Sequence, residues 1–174
     1  MFNIGNLLAY QLAWLAVIMA AARDLAWVGA AIALVVAASH LALRPGSREL
    51  KLMGLCAGIG LLIDSTLAIT GQVRFAAAWP ADLAPYWMLC LWIAFATTLS
   101  HSMRWVMNRP VAAAAAGAVG GPLAYLAAGR LGALDIATPS TTLPLIALLY
   151  TPGMIALSMT VMRHEMPRGG SLPA

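Results

Sequence analysis

Nearly the whole chain consists of apolar blocks of roughly twenty residues, separated by short polar breaks. Of its 174 residues, 62% are hydrophobic and 9% are charged, whereas soluble domains carry about 25% charged residues. So few charges cannot cover a water-facing surface, which makes the bilayer the solvent. Because a helical span needs about 20 residues, there is room for about six spans. We therefore predict an all-α, polytopic transmembrane helical bundle, a single integral membrane domain over residues 1–174.

The polar breaks predict where the helices begin and end. The break RPGSRELK at 44–51 combines proline, glycine and charge, and the longest break, QVRFAAAWPADLAP at 72–85, is expected to hold a short interfacial helix. Strands are not expected, because open strand edges are not tolerated in hydrocarbon. No basic residue precedes the first apolar block, so we interpret it as a retained helix and not a signal peptide. The predicted spans are 4–22, 25–43, 50–70, 84–105, 111–129 and 142–162.

The basic residues predict the orientation. With the N-terminus in the cytoplasm, seven basic residues fall on the cytoplasmic side and three on the other, as positive-inside sorting requires. Both termini are then cytoplasmic. The basic residues form no run that would follow a phosphate backbone, so we expect no nucleic-acid partner. The cytoplasmic group is Arg44, Arg48, Lys51, Arg104, Arg109, Arg163 and Arg168, and the opposite group is Arg23, Arg74 and Arg130.

One carboxylate, Asp64 in "GLLIDSTLAITG", lies inside the third predicted span. It is about 20 Å from the cytoplasmic end at 1.5 Å per residue, where exposure to lipid costs roughly 2.5–3.5 kcal/mol. We therefore expect it to face the bundle interior. Helix direction places Trp92, Tyr125 and Tyr150 at the same depth, and all three are hydrogen-bond donors. The first hypothesis is a polar pocket in which Asp64 is a general base, proton relay or ligand for a cation; the alternative is a polar clamp between helices.

A second polar layer is predicted nearer the cytoplasm. His40, His101 and His164 all follow helices that run towards that side. Histidine is favoured at helix C-termini, but His40 and His101 are also candidates for catalytic proton transfer beside Asp64. Imidazole binds zinc, copper or iron, yet no spacing places two such ligands on one helix face, so we assign no metal site and leave the cofactor open. Asn6 and Gln11, at or above this level, join Trp92, Tyr125 and Tyr150 as candidate substrate-binding residues.

Two further patterns concern repetition and packing. At an offset of 61 residues, Ser39, His40, Gly60 and Gly71 fall on Ser100, His101, Gly121 and Gly132, which suggests a duplicated helical hairpin. Glycines and alanines spaced four apart favour close helix packing and are compatible with a homodimer. The two cysteines, Cys56 and Cys90, are predicted at different depths, beyond the reach of a disulfide.

Several segments carry a family resemblance: "NLLAYQLAW", "SH" before an Arg-Pro loop, "GLLID", "APYWMLCLWIAFATTL" and "GAVGGPLAYLAAGRLGAL". Over residues 3 to about 135, the chain resembles a family of short, uncharacterised bacterial inner-membrane proteins. Members are often encoded near cyclopropane-fatty-acid-synthase-like enzymes. The resemblance implies location in the bacterial inner (cytoplasmic) membrane and a link to membrane-lipid chemistry, but no defined activity.

Three hypotheses follow for function. The first is an enzyme or enzyme subunit that modifies fatty-acyl chains or other membrane lipids, with Asp64, His40 and His101 as catalytic candidates and a lipid or small molecule as ligand. The second is a small proton-coupled transporter in which Asp64 titrates. The third is a non-catalytic scaffold whose basic loop (Arg44, Arg48 and Lys51) recruits a soluble lipid-modifying partner.

Overall fold

The computed structural model describes residues 2–165, without the side chains at positions 2, 164 and 165. The side chain of His164 and all of Arg168, both used in the sequence predictions, lie outside the described residues. The described chain is mostly helical, with two short strands. Its elements are α1 (Phe2–Ala21), α2 (Ala26–Leu43), α3 (Ser47–Ile69), β1 (Val73–Phe75), α4 (Tyr86–Leu99), α5 (Arg104–Met107), α6 (Pro110–Arg130), β2 (Leu134–Ile136) and α7 (Pro139–Glu165).

Five of these helices, α1, α2, α3, α6 and α7, are long and apolar enough to cross a membrane. Large apolar side chains also cover the outside of the bundle, including Leu12, Val35, Leu62, Val111 and Leu148, which are all exposed. Extensive apolar surface on a folded protein marks contact with another apolar phase. The structure therefore supports a multi-pass helical membrane protein.

The predicted fourth span, 84–105, is not one continuous helix. The helix α4 has 14 residues and ends at Leu99, and the short α5 begins at Arg104. Near the end of α4, the hydroxyls of Thr97 and Thr98 donate to backbone carbonyls one turn earlier, a local bond that competes with regular helix geometry. Beyond the end, Ser102 Oγ donates to Asn6 Oδ1 of α1 at 2.8 Å, which fixes the turn against the first helix.

The expectation of no strands, with a short helix at 72–85, was wrong. Residues 72–85 contain β1 and a series of turns, and β1 pairs antiparallel with β2. Arg74 lies directly opposite Asp135 in this ladder. Both strands are in the loops that follow α3 and α6, outside the long helices, so the hydrocarbon argument against strand edges does not apply to them.

The same 61-residue offset relates these two loops in structure. At the end of α3, Gln72 N donates to Leu67 O, and at the end of α6, Ala133 N donates to Ala128 O. Gly71 and Gly132 both have positive φ, 68° and 83°, which glycine adopts without steric cost. The strands follow at the same offset, and the pairing of Val73 with Ile136 and of Phe75 with Leu134 is symmetric under it. The chain therefore contains two copies of a helix–glycine–strand unit.

The loops collect at two ends of the bundle. One end, which we term the basic end, carries the turn between α2 and α3, the segment between α4 and α6, and the end of α7. The other end carries the two-stranded sheet. Among the described residues, the basic end contains Arg44, Arg48, Lys51, Arg104, Arg109 and Arg163, and the sheet end contains Arg23, Arg74 and Arg130.

Candidate functional site

Asp64 lies in the interior of the bundle with no exposed surface. Trp92 Nε1 of α4 donates to Asp64 Oδ2 at 2.7 Å, and Tyr125 Oη of α6 donates to Asp64 Oδ1 at 2.5 Å. Each carboxylate oxygen thus accepts one hydrogen bond from a different helix. Asp64 and Tyr125 are themselves separated by 61 residues, so they occupy equivalent positions in the two helix–glycine–strand units.

Tyr150 of α7 completes an aromatic cluster around this carboxylate. Its ring centroid is 5.4 Å from that of Trp92 and 6.0 Å from that of Tyr125. Two glycines make room for the rings: a Cβ at Gly60 would overlap the indole of Trp92, and one at Gly121 would lie 2.7 Å from Tyr150 Cγ. The structure therefore brings together the four residues that sequence depth had grouped, and glycine at the equivalent positions 60 and 121 permits it.

An apolar cavity of about 200 Å³ lies beside this cluster. Trp92, Tyr125 and Tyr150 form part of its wall, whereas Asp64 lies behind them and does not line it. The predicted polar pocket around Asp64 is therefore not observed. The cavity is apolar, and Asp64 contributes to it only through its hydrogen bonds to Trp92 and Tyr125 in the wall. The remaining wall comes from α1, α4, the turn before α5, α6, α7 and β2, and includes Tyr10, Trp14, Phe95, Gly120 and Met154.

One residue of the cavity wall, Gly120, is exposed at the middle of α6. A side chain placed there would meet no atom within 4 Å. Because α6 is one of the helices long enough to cross a membrane, its middle lies at the depth of the hydrocarbon. An opening at Gly120 would therefore face lipid tails rather than water.

The geometry limits what Asp64 can do directly. Both of its oxygens are engaged and it is shielded from the cavity, so it can reach a bound molecule only through Tyr125 or Trp92. The Tyr125 hydroxyl donates a hydrogen bond to Asp64, and it is also hydrogen-bonded to the side chain of Tyr150. Asp64 therefore holds two rings of the cavity wall in place through hydrogen bonds.

Two predicted substrate-binding residues are not part of this cavity. Asn6 Nδ2 donates to the Thr97 carbonyl at 3.2 Å, and Asn6 also accepts the hydrogen bond from Ser102, so it joins α1 to the end of α4. Gln11 is exposed on α1. Neither residue lines the cavity.

The predicted catalytic histidines form a separate cluster at the basic end. His40 is buried, and its Nε2 lies 3.1 Å from Glu49 Oε2. The His101 ring packs against His40 with centroids 4.8 Å apart. Burial lowers the pKa of His101 below its usual 6.5, while the nearby Glu49 carboxylate opposes that change. At 1.5 Å per residue, Glu49 is about 22 Å along α3 from Asp64, so the three catalytic candidates do not form one site.

Sequence reasoning overlooked Glu49. It is a rare acidic residue in the first turn of α3, nine positions after His40, and the Pro-Gly turn between them reverses the chain. The sequence predicts a helix break at this turn. A carboxylate directly after the break, such as Glu49, is placed beside the end of the preceding helix and therefore near His40.

Comparison with known proteins adds a family but no activity. A family described as "Protein of unknown function (DUF2878)" matches residues 3–152, which is most of the chain. No curated protein and no solved structure matches the chain.

Proposed function

The chain belongs to this DUF2878 family of proteins of unknown function, and we propose that it binds the apolar chain of a membrane lipid, as an enzyme or enzyme subunit of membrane-lipid modification. The observation that carries the proposal is the apolar cavity with an exposed mid-helix glycine, Gly120, in its wall, and we propose that the cavity opens there. A ligand that reaches it from the bilayer core must be soluble in hydrocarbon. An acyl or isoprenoid chain meets that requirement, whereas a hydrated solute does not.

The size of the cavity indicates what part of a lipid it takes. A cavity of about 150 Å³ lined by apolar side chains binds benzene in a soluble protein, so about 200 Å³ holds a segment of a chain and not a whole lipid. The rest of the lipid stays in the bilayer, outside the opening at Gly120. Trp14, Phe95 and Met154 provide the aromatic and flexible apolar surface such a segment would contact.

The aromatic cluster gives the proposed enzyme its chemistry. A chain segment in the cavity contacts Tyr125, whose oxygen is held in place by Asp64. An unactivated acyl chain has no acidic C–H bond, so the contribution we propose for this pair is the Tyr125 hydroxyl itself, which the bond to Asp64 orients at the cavity wall. In this proposal Tyr125 is the catalytic group, and His40 and His101 have no contact with the reaction.

We expect Gly120→Leu to block lipid binding by filling the opening. The same substitution at Gly58 is the matched control, because Gly58 is also an exposed helical glycine with open space around it, and it does not line the cavity. The protein would be placed in nanodiscs with a phospholipid that carries a photoreactive group in its acyl chain. Labelled residues would then be located by mass spectrometry. We expect labelling of Trp92, Tyr125 and Tyr150 to fall at least tenfold in Gly120→Leu, which corresponds to about 1.4 kcal/mol of lost binding, and to persist in Gly58→Leu.

Equal labelling of the cavity residues in both variants would contradict the proposed binding. The catalytic part is tested by lipid profiles of a strain that lacks the gene and is complemented with wild type, Asp64→Asn or Gly120→Leu. A lipid species that only wild type restores, at equal protein abundance, supports chemistry at this site. An unchanged profile in all strains, together with intact labelling, would leave a lipid-binding protein without that activity.

The duplication favours transport as a second candidate function. Parallel structural repeats occur in secondary transporters, whose binding sites lie near the midplane at the repeat interface. Here the Asp64–Tyr125 bond joins equivalent positions of the two units. Proton-coupled uptake of a solute into proteoliposomes by the wild type, and its loss in Asp64→Asn, would support transport over lipid modification. In either case we propose a bacterial inner-membrane location with the basic end in the cytoplasm, which the distribution of basic residues supports.

A further inference from the structure

We propose that His40, Glu49 and His101 form a binding site for a divalent transition-metal ion of the zinc class. One candidate ligand atom from each residue lies within 4.8 Å of the other two. Two of the residues are already in contact, with His40 Nε2 3.1 Å from Glu49 Oε2. The proposed function does not involve these residues, so each proposal can be tested independently of the other.

The spacing fits a single ion with small adjustments. Zinc binds imidazole nitrogen and carboxylate oxygen at about 2.0–2.2 Å in a tetrahedral arrangement, which places neighbouring ligand atoms about 3.3 Å apart. The His40–Glu49 separation already matches that value. The other separations, all within 4.8 Å, must shorten for one ion to bind all three residues. We assign that change to His101, which lies in the turn between α4 and α5 and not in a long helix.

The chemistry of the ligand set supports a transition metal. Two histidines and one carboxylate bind zinc in metallopeptidases and ferrous iron in non-haem oxygenases, and in both cases positions remain open for water or substrate. Calcium and magnesium prefer oxygen ligands. The three residues here come from the end of α2, the start of α3 and the turn after α4, so a bound ion would join three elements.

The surroundings predict moderate affinity. The charge of Arg48 acts on Glu49, and that of Arg44 acts on His101. Both arginines oppose a cation electrostatically. We therefore expect binding in the micromolar range, weaker than in closed structural zinc sites, and exchange with chelators.

The test is a metal titration of the purified full chain in detergent, prepared with an affinity tag that contains no histidine and stripped with a chelator. We expect one Zn²⁺ per chain by equilibrium dialysis with elemental analysis, and a visible Co²⁺ spectrum of a nitrogen- and oxygen-ligated ion. Glu49→Gln and His101→Asn should each weaken Zn²⁺ binding at least tenfold, since even indirect supports of metal sites contribute that much. The control is Asp82→Asn, an exposed carboxylate in the loop after β1, which should bind like wild type.

Absence of saturable binding, or equal binding by wild type, Glu49→Gln and His101→Asn, would overturn the site. If these variants do not fold, the melting temperature of the wild type, measured with and without Zn²⁺, tests the site instead. A ligand that binds only the folded protein raises its melting temperature. A rise with Zn²⁺ that Mg²⁺ does not produce and a chelator reverses supports the proposal, and no Zn²⁺-specific rise contradicts it.

Discussion

Replacement of Gly60 by alanine is expected to destabilise the folded protein by about 3 kcal/mol or more, through overpacking and loss of a buried hydrogen bond. The new methyl group would overlap the Trp92 indole. The ring cannot move aside without giving up its 2.7 Å bond to Asp64, and it is also in contact with the Tyr150 ring. We would measure the free energy of unfolding by SDS titration in mixed micelles.

Gly58→Ala is the control for this experiment. Gly58 is two residues away on the same helix and is exposed, and a methyl group added there would meet no atom within 4 Å. In a helix interior alanine is favoured over glycine by roughly 0.5–1 kcal/mol, so we expect this variant to be as stable as wild type or slightly more stable. Similar effects of the two substitutions would show that the Trp92 packing does not limit stability.

The helical membrane architecture could be predicted because composition leaves few alternatives. Long apolar blocks with so few charges satisfy their backbone hydrogen bonds within hydrocarbon most simply as continuous helices, and the five long apolar helices follow from that. The end of α4 at Leu99 could not be predicted from a helix-breaking residue, because neither glycine nor proline occurs between α4 and α5. It depends on Thr97, Thr98 and the Ser102 bond to α1, and the last of these is a tertiary contact.

The short strands were missed for a different reason. Three-residue strands are too short to show a periodic pattern, and each gains its partner from a segment 61 residues away. The repeated Gly71 and Gly132 were visible in the sequence, but their positive φ and the strands that follow were not. The sheet could therefore have been predicted only from the repeated glycine at the end of each helix, which is a weak indication at either position alone.

The aromatic cluster around Asp64 could be grouped from the sequence because depth along a helix is fixed by residue count. Which way each side chain faces is not fixed by depth. Asn6 and Gln11 illustrate this limit: depth counting assigned both to the substrate, whereas rotation about α1 directs Asn6 to Thr97 and leaves Gln11 exposed. The cavity itself depends on the space between helices, which no single helix pattern encodes.

Replacement of Asp64 by leucine is expected to lower the free energy of unfolding by about 2–6 kcal/mol, because a buried donor left without its acceptor costs about 1–3 kcal/mol and this change leaves two. Those donors are Trp92 Nε1 and Tyr125 Oη. Asp64→Asn should cost less, since its amide oxygen still accepts from the indole. A double-mutant cycle in SDS titration separates this cause from lost packing: with Tyr125→Phe already present, Asp64→Leu leaves one orphaned donor, so its cost should fall by about 1–3 kcal/mol. Costs that simply add would mean that the Tyr125 bond contributes nothing to stability, and that Asp64 holds the cavity wall through Trp92 alone.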